Sequence, residues 1–470
     1  MTADPTAAIA HPPMTSPSPA APSTVALRGA AFTMRGDPFA IGDEAALHYE
    51  SDALIVVEDG RIARFGDYGT LAPGLPAGVP VTHYRDALIV PGFIDAHVHY
   101  PQTQIIGAGG KRLIDWLNDY TFAAEGQFAD RAHADFVANV FLDACLAQGT
   151  TTASVYCTVH PQSVDAFFSA AEARGLRMIA GKTLMDRHAP DFLLDTAQRG
   201  YDESKALIER WRGRGRLGYA ITPRFAVTST PQQLELAGAL LAENPDTWCQ
   251  SHISEQRDEV AWIAELFPSR LDYLDVYDHY GLLGPRTLLG HGIHLTEREW
   301  QRCHDSGTTI VHCPTSNAFL GSGLFDWSMA KKEGRAASVA LATDVGGGTT
   351  LSMLATMGAA HQIAQLGGHA LSAARSFYLA TLGGAKALQL DDRIGAIAPG
   401  LEADLVVLDL VHTPLMKLRL KHCENIAEVL FMLMTMGDDR AVREVYVMGR
   451  PVTLGSARSV DDRRDVATIG

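Results

Sequence analysis

Paired cysteines are missing from this 470-residue sequence: the six present, at positions 145, 157, 249, 303, 313 and 423, are scattered, with no CxxC among them. This excludes the zinc cytidine deaminases that need PCxxC. With no secretory leader to read, it predicts reduced thiols in a cytoplasmic protein. Basic side chains are also in deficit. Against 54 Asp+Glu there are 39 Lys+Arg, a formal net charge of −15, which argues against nucleic acid as a partner, because affinity for its backbone rests on clustered cations. No apolar run approaches the roughly 20 residues of a membrane span, and the longest, VLFMLM near position 430, is far too short. No arginine precedes Arg28, so the start is not a transit peptide. HExxH does not occur, and the Gly181-Lys182-Thr183 triplet has Leu176 where a phosphate-binding loop requires glycine. Residues 1 to 25 are mostly Ala, Pro, Ser and Thr, too poor in large side chains to offset the entropy of ordering, and are expected to form a disordered tail.

What remains has ordinary globular composition, 47% hydrophobic and 20% charged, with length for one large domain and a smaller one. From Val25 to Pro91 short strand-like runs alternate with turns, and Asp59-Gly60 between two of them signals a hairpin. Similar runs, ADLVVLDL and REVYVMGRPV, return near the C-terminus. Two unrelated hairpins would explain this, but the preferred reading is a small β-sandwich domain built from both chain ends, residues 26–90 and 395–456. Between them, 91–394 alternates strands and helices. Eight candidate strands begin at GFIDAHVH and end at SVALATDV, and segments such as HADFVANVFLDACLAQG show helical spacing closed by Gly149. The count and size predict an α/β fold, a TIM-like (β/α)8 barrel, with an open doubly wound sheet as the alternative.

Histidine is abundant, at 18, and its positions carry the chemistry. His97 and His99 lie two apart on the first candidate strand and so share a face, where two imidazoles can converge on one ion. His252 ends the fifth strand. Glu255 follows three residues later, and both can face one site only if the strand stops near His252. There Glu255 is suited to carrying a proton between water and substrate. The sixth strand ends in GHGIH, from which His291 is assigned to the site and His294 to the surface or to capping. Asp344, ahead of three glycines, ends the eighth strand and could add an oxygen ligand. All these residues fall at C-terminal strand ends, where barrel enzymes keep their active sites. Nitrogen and oxygen ligands with an open position suit a hydrolytic metal ion, Zn2+ first, with Fe2+ or Mn2+ accepting the same set.

PGFIDAHVH, SHISE, GHG and TD on successive strands resemble the amidohydrolase superfamily, in its branch of metal-dependent hydrolases with one metal and no carbamylated lysine. HVHYPQ, LIDWLNDYTFAAE, PRF, HISE, HCPTSN and TDVGGG narrow the resemblance to members that hydrolytically deaminate guanine to xanthine and ammonia, and it covers nearly all of the chain after the tail. The resemblance implies a metal held by His97, His99, His252 and Asp344, one ion per subunit. It implies Glu255 as proton shuttle to the purine ring nitrogen, and His291 as hydrogen-bond partner of the attacking hydroxide or the tetrahedral intermediate. Gln102, Arg224 and Phe225 would read the purine base, with His252, Glu255 and Asp344 bordering it; without the resemblance, Arg224 reads as a surface or salt-bridged residue. Trp116 and Phe122 are candidates for the walls of a flat pocket. Ala123 departs from the pattern, which commonly has proline there. A homodimer is implied as well. Turnover of another heterocycle, such as an aminotriazine, cytosine or an adenosine-type purine, remains the alternative. A metal-free relative is disfavoured because every ligand type survives.

Overall fold

A computed structural model describes residues 24–109 and 112–452. The expected tail up to residue 23, and the sheet segment beyond 452, lie outside the described residues. Eight parallel strands form the barrel: β1 (Phe93–His99), β2 (Thr150–Tyr156), β3 (Arg177–Gly181), β4 (Gly218–Pro223), β5 (Trp248–Ile253), β6 (Thr287–His291), β7 (Thr309–His312) and β8 (Ser338–Leu341). They neighbour one another in that order, and a two-residue strand, Thr183–Leu184, adds to β4. Nearly every strand residue is buried, as expected for a parallel sheet covered on both faces. Closure occurs just past β8, where Asp344 N–H donates to the His97 carbonyl at 2.9 Å and His99 N–H donates to the Val345 carbonyl at 2.8 Å.

Helices alternate with the strands on the outside. In the helix Arg131–Ala147 the Asp130 carboxylate caps the first turn, and Gly149 follows the last turn at φ 82°. This left-handed position suits glycine. A Cβ there would also meet Phe93 and Val406 at 3.1 Å.

The chain ends build one seven-stranded sheet. Its order is Arg450–Pro451, Val442–Val447, Leu405–Asp409, Val81–Pro91, Thr24–Met34, Leu47–Glu58 and Arg61–Asp67. Leu405–Asp409 pairs antiparallel with Val81–Pro91, so the two terminal β regions are not independent hairpins. Asp59 and Gly60 both have positive φ, as the expected tight hairpin requires. Among the described residues, no helix is long and apolar enough to cross a membrane.

A buried ionic junction fastens this sheet to the barrel. Glu402 accepts from Arg177, the first residue of β3, and from Arg216, which also reaches Asp404 at 2.8 Å. Burial pushes the Glu402 carboxyl up, but Arg177 and Arg216 outweigh it and hold the group below its ordinary value of 4.5. A folded-state pKa below the unfolded one gives stability that is present above pH 4.5 and lost as pH falls through the folded value. Replacing Glu402 by Gln leaves the buried Arg177 guanidinium without a carboxylate partner and Arg216 with Asp404 alone, and should cost about 3 kcal/mol at neutral pH. Thermal unfolding followed by circular dichroism should show this loss, and the variant should lose less stability than wild type on acidification.

Candidate active site

The strand ends turn sharply where the candidate residues sit. After β5, Ser254 takes φ 47° and swings Glu255 back toward His252. His291 has φ 74° at the end of β6, and Asp344 has φ 51° beyond β8. Left-handed backbone at a non-glycine residue costs of order 1–3 kcal/mol and concentrates at functional sites. Here neighbouring bonds enforce it: His294 N–H donates to the Ser254 carbonyl, and Asp344 N–H donates into β1. Gly290 serves the site by its size, since a Cβ there would lie 2.7 Å from His97 Cε1.

His97, His99, His252 and Asp344 bring one ligand atom each to within 4.8 Å of one another. Asp344 Oδ1 lies 3.2 Å from His97 Nε2 and 3.4 Å from His99 Nε2. The Nε2 atoms of His99 and His252 face each other at 3.1 Å. His252 Nδ1 is 2.6 Å from the Arg224 carbonyl. A carbonyl only accepts, so Nδ1 carries the hydrogen and the Nε2 lone pair points into the cluster. Burial lowers the pKa of His97, His99 and His252, keeping them neutral. Both ring nitrogens of His97 and Nδ1 of His99 are buried without a hydrogen-bond partner. Buried polar atoms left without a partner are costly unless something else satisfies them. Three neutral imidazoles and a carboxylate are donors that suit one divalent cation, whose coordination can expand to take a water as a fifth ligand. Cys313 forms an overlapping group with His97, His291 and Asp344, but burial pushes its thiol well above the ordinary range, and a protonated thiol is a poor ligand.

Beside the quartet, Glu255 Oε2 lies 3.5 Å from His291 Nε2, and Oε1 accepts from the Ser322 hydroxyl at 3.0 Å. Burial raises the Glu255 carboxyl to about 7, a value suited to passing protons near neutrality. His291 Nδ1 donates to Asn317 Oδ1 at 2.9 Å, leaving Nε2 directed at Glu255 and Asp344. His294 is neither a surface residue nor a cap. It is half-buried with Nε2 3.0 Å from the Ser322 carbonyl, while Thr296 caps the next helix. It holds the loop that brings Ser322 to Glu255.

The quartet opens into a pocket lined by Gln102, Arg224, Phe225, Trp116, Leu117 and Leu320 among others. Trp116 is a wall, as expected. Phe122 instead sits under the Arg224 guanidinium, 5.9 Å from its ring centre. Leu117–Thr121 forms a wide π turn, a distortion common beside functional sites. Arg224 is buried and ion-paired with Glu125 at 2.8 Å. Glu125, Asn317 and Ser322 were not singled out from sequence. The first two lie inside the LIDWLNDYTFAAE and HCPTSN stretches, the only signal that could have found them.

Residues 88–452 match the model of the Amidohydrolase family. The chain is 48% identical to the Escherichia coli guanine deaminase over 408 residues, 87% of this chain and 92% of that one. The solved E. coli guanine deaminase superposes with a TM-score of 0.89 at 46% identity, covering 91% of this chain and 99% of the other. The C. acetobutylicum guanine deaminase, solved with guanine bound in its active site, gives 0.82 at 28% identity, covering 92% and 100%. With the barrel, the strand-end histidines and Asp344 in place, these matches establish that the chain belongs to the amidohydrolase family.

Proposed function

We propose that this protein catalyses the hydrolytic deamination of guanine, converting guanine and water to xanthine and ammonia. The observation that carries the reading is the juxtaposition of the His97, His99, His252 and Asp344 quartet with buried Glu255, at the floor of a pocket walled by Gln102 and Arg224. The activity shared by the relatives supports it.

The proposed ligands are those four residues, and the proposed ion is Zn2+, with Fe2+ or Mn2+ fitting the same donors. When bound, such an ion acidifies water and stabilises developing negative charge. The remaining work falls to the chain. Glu255 accepts a proton from the attacking water and delivers it to the ring nitrogen next to the carbon bearing the amino group, making that carbon electrophilic. Water oxygen adds to that carbon, and the ring becomes tetrahedral there. Glu255 then takes the remaining proton from the added hydroxyl and delivers it to the amino group, the carbon–nitrogen bond breaks, and ammonia leaves as the new carbonyl forms. His291, held by Asn317, hydrogen-bonds the incoming oxygen, and Asp344 orients it. Arg224 donates to the base carbonyl. Gln102 both donates and accepts on the ring edge, and Phe225 packs beside it. Leu113, Trp116 and Leu320 exclude bulk water. The proposal extends to a cytoplasmic homodimer serving purine catabolism or salvage, and to a barrel of residues 91–394 with a sheet domain from 26–90 and 395–456.

Incubating the metal-loaded protein with guanine should give loss of guanine absorbance with stoichiometric ammonia. No turnover at high enzyme concentration would overturn the reading. In the same assay an aminotriazine, cytosine and adenosine should react at least about 100-fold more slowly, because a site built around polar partners rejects bases that leave them unpaired. Glu255→Gln should retain metal yet lose at least about 100-fold in kcat. His252→Ala should bind well under one equivalent of metal by elemental analysis while keeping a wild-type circular dichroism spectrum.

A further inference from the structure

Glu125 does not line the pocket, yet it contacts two polar residues that do, Gln102 and Arg224. It lies on the helix Phe122–Gly126 and is fully buried. Its Oε1 accepts from Gln102 Nε2 at 2.9 Å and from Arg224 Nη1 at 2.8 Å, and its Oε2 accepts from the same Nη1 at 2.8 Å. Gln102 Oε1 in turn accepts from the Gly346 backbone N–H at 3.1 Å. A carboxylate only accepts and a backbone N–H only donates, so these two partners settle which end of the Gln102 amide is which. One N–H and one lone pair of that amide remain for a ligand. Arg224 gives Nη1 to the carboxylate, and among the described residues its Nε and Nη2 donate to no protein acceptor. The guanidinium therefore faces the pocket with directional donors, its charge offset from behind.

We propose that Glu125 is a positioning residue that sets base specificity, by fixing the Gln102 amide and cancelling the charge of Arg224 so that the wall favours a neutral oxo base over an anionic one. This rests on the guanine reading above. In water the neutral amide of glutamine would be a close substitute, but at this position it cannot offset Arg224, and it competes with Gln102 for orientation. The cost of an uncompensated guanidinium is relieved only by a ligand that carries negative charge.

The test compares two non-reacting competitive probes, hypoxanthine, which is a neutral 6-oxo base, and purine-6-carboxylate, which is an anion of similar size. In Glu125→Gln, KM for guanine should rise about 10-fold or more with kcat changed less than about 3-fold, the signature of lost ground-state binding rather than lost chemistry. The ratio of the two inhibition constants should move about 10-fold toward the carboxylate. Glu125→Asp keeps the charge but shortens the reach, so it should raise KM while leaving that ratio as in wild type. It also carries the test if the glutamine variant does not fold. Unchanged KM and ratio, or a loss confined to kcat, would overturn the assignment of Glu125. A wild-type protein inert toward guanine would instead overturn the reading beneath it.

Discussion

The backbone hydrogen bonds that close the barrel between β1 and the segment after β8 are the constraint on which the site depends. Asp344 donates into β1 at His97, and His99 donates back to Val345. The two bonds bring the Asp344 carboxylate and the His97 and His99 imidazoles into register. Asp95, buried on the same strand, reinforces the closure by accepting from Thr343 through its backbone and hydroxyl. Burial raises the Asp95 carboxyl to about 7 against the bonds from Thr343 that lower it. Because residues 97 and 344 are far apart in sequence, the quartet exists only once the eight strands are assembled.

Around this seam the interior manages buried polarity by pairing. The imidazoles of the quartet are neutral, so burying them avoids the large desolvation penalty of charge. Where charges are kept, as in Arg224 with Glu125 and in Arg177 and Arg216 with Glu402, each carboxylate accepts from its guanidinium partners directly. Breaking such a pair costs more than forming it gains, which makes these contacts effective at fixing geometry. Among the described residues Glu255, like Asp95, has no guanidinium partner. Its neighbours are a hydroxyl and His291, and its carboxyl titrates near neutrality because nothing fully compensates its burial. That incomplete compensation is what a proton carrier needs.

Local pattern was enough for much of this. The alternation of buried apolar strands with helical segments specifies a parallel sheet covered on both faces, and the count of eight favours the closed barrel over an open sheet. The spacing of His97 and His99 specifies one shared face because strand side chains repeat every second residue. The turn at Asp59-Gly60 is legible because few other residue pairs accept positive φ twice. Strand ends were less legible. GHGIH reads as strand to its last histidine, but β6 stops at His291, where the backbone turns left-handed, and this sends His294 to the Ser322 loop instead of to a helix cap.

By itself the sequence determined the fold class and the placing of the histidines, Glu255 and Asp344 at strand ends, since these follow from periodicity and side-chain chemistry that act over a few residues. Tertiary structure alone decided which nitrogen of His252 faces the quartet, that Phe122 supports Arg224 rather than walling the pocket, and that Glu125 and Asn317 hydrogen-bond the residues proposed to touch substrate. Those outcomes depend on contacts between segments brought together by barrel closure, where a hydrogen bond of 2.6 Å from His252 to the Arg224 carbonyl selects a tautomer that no local pattern encodes.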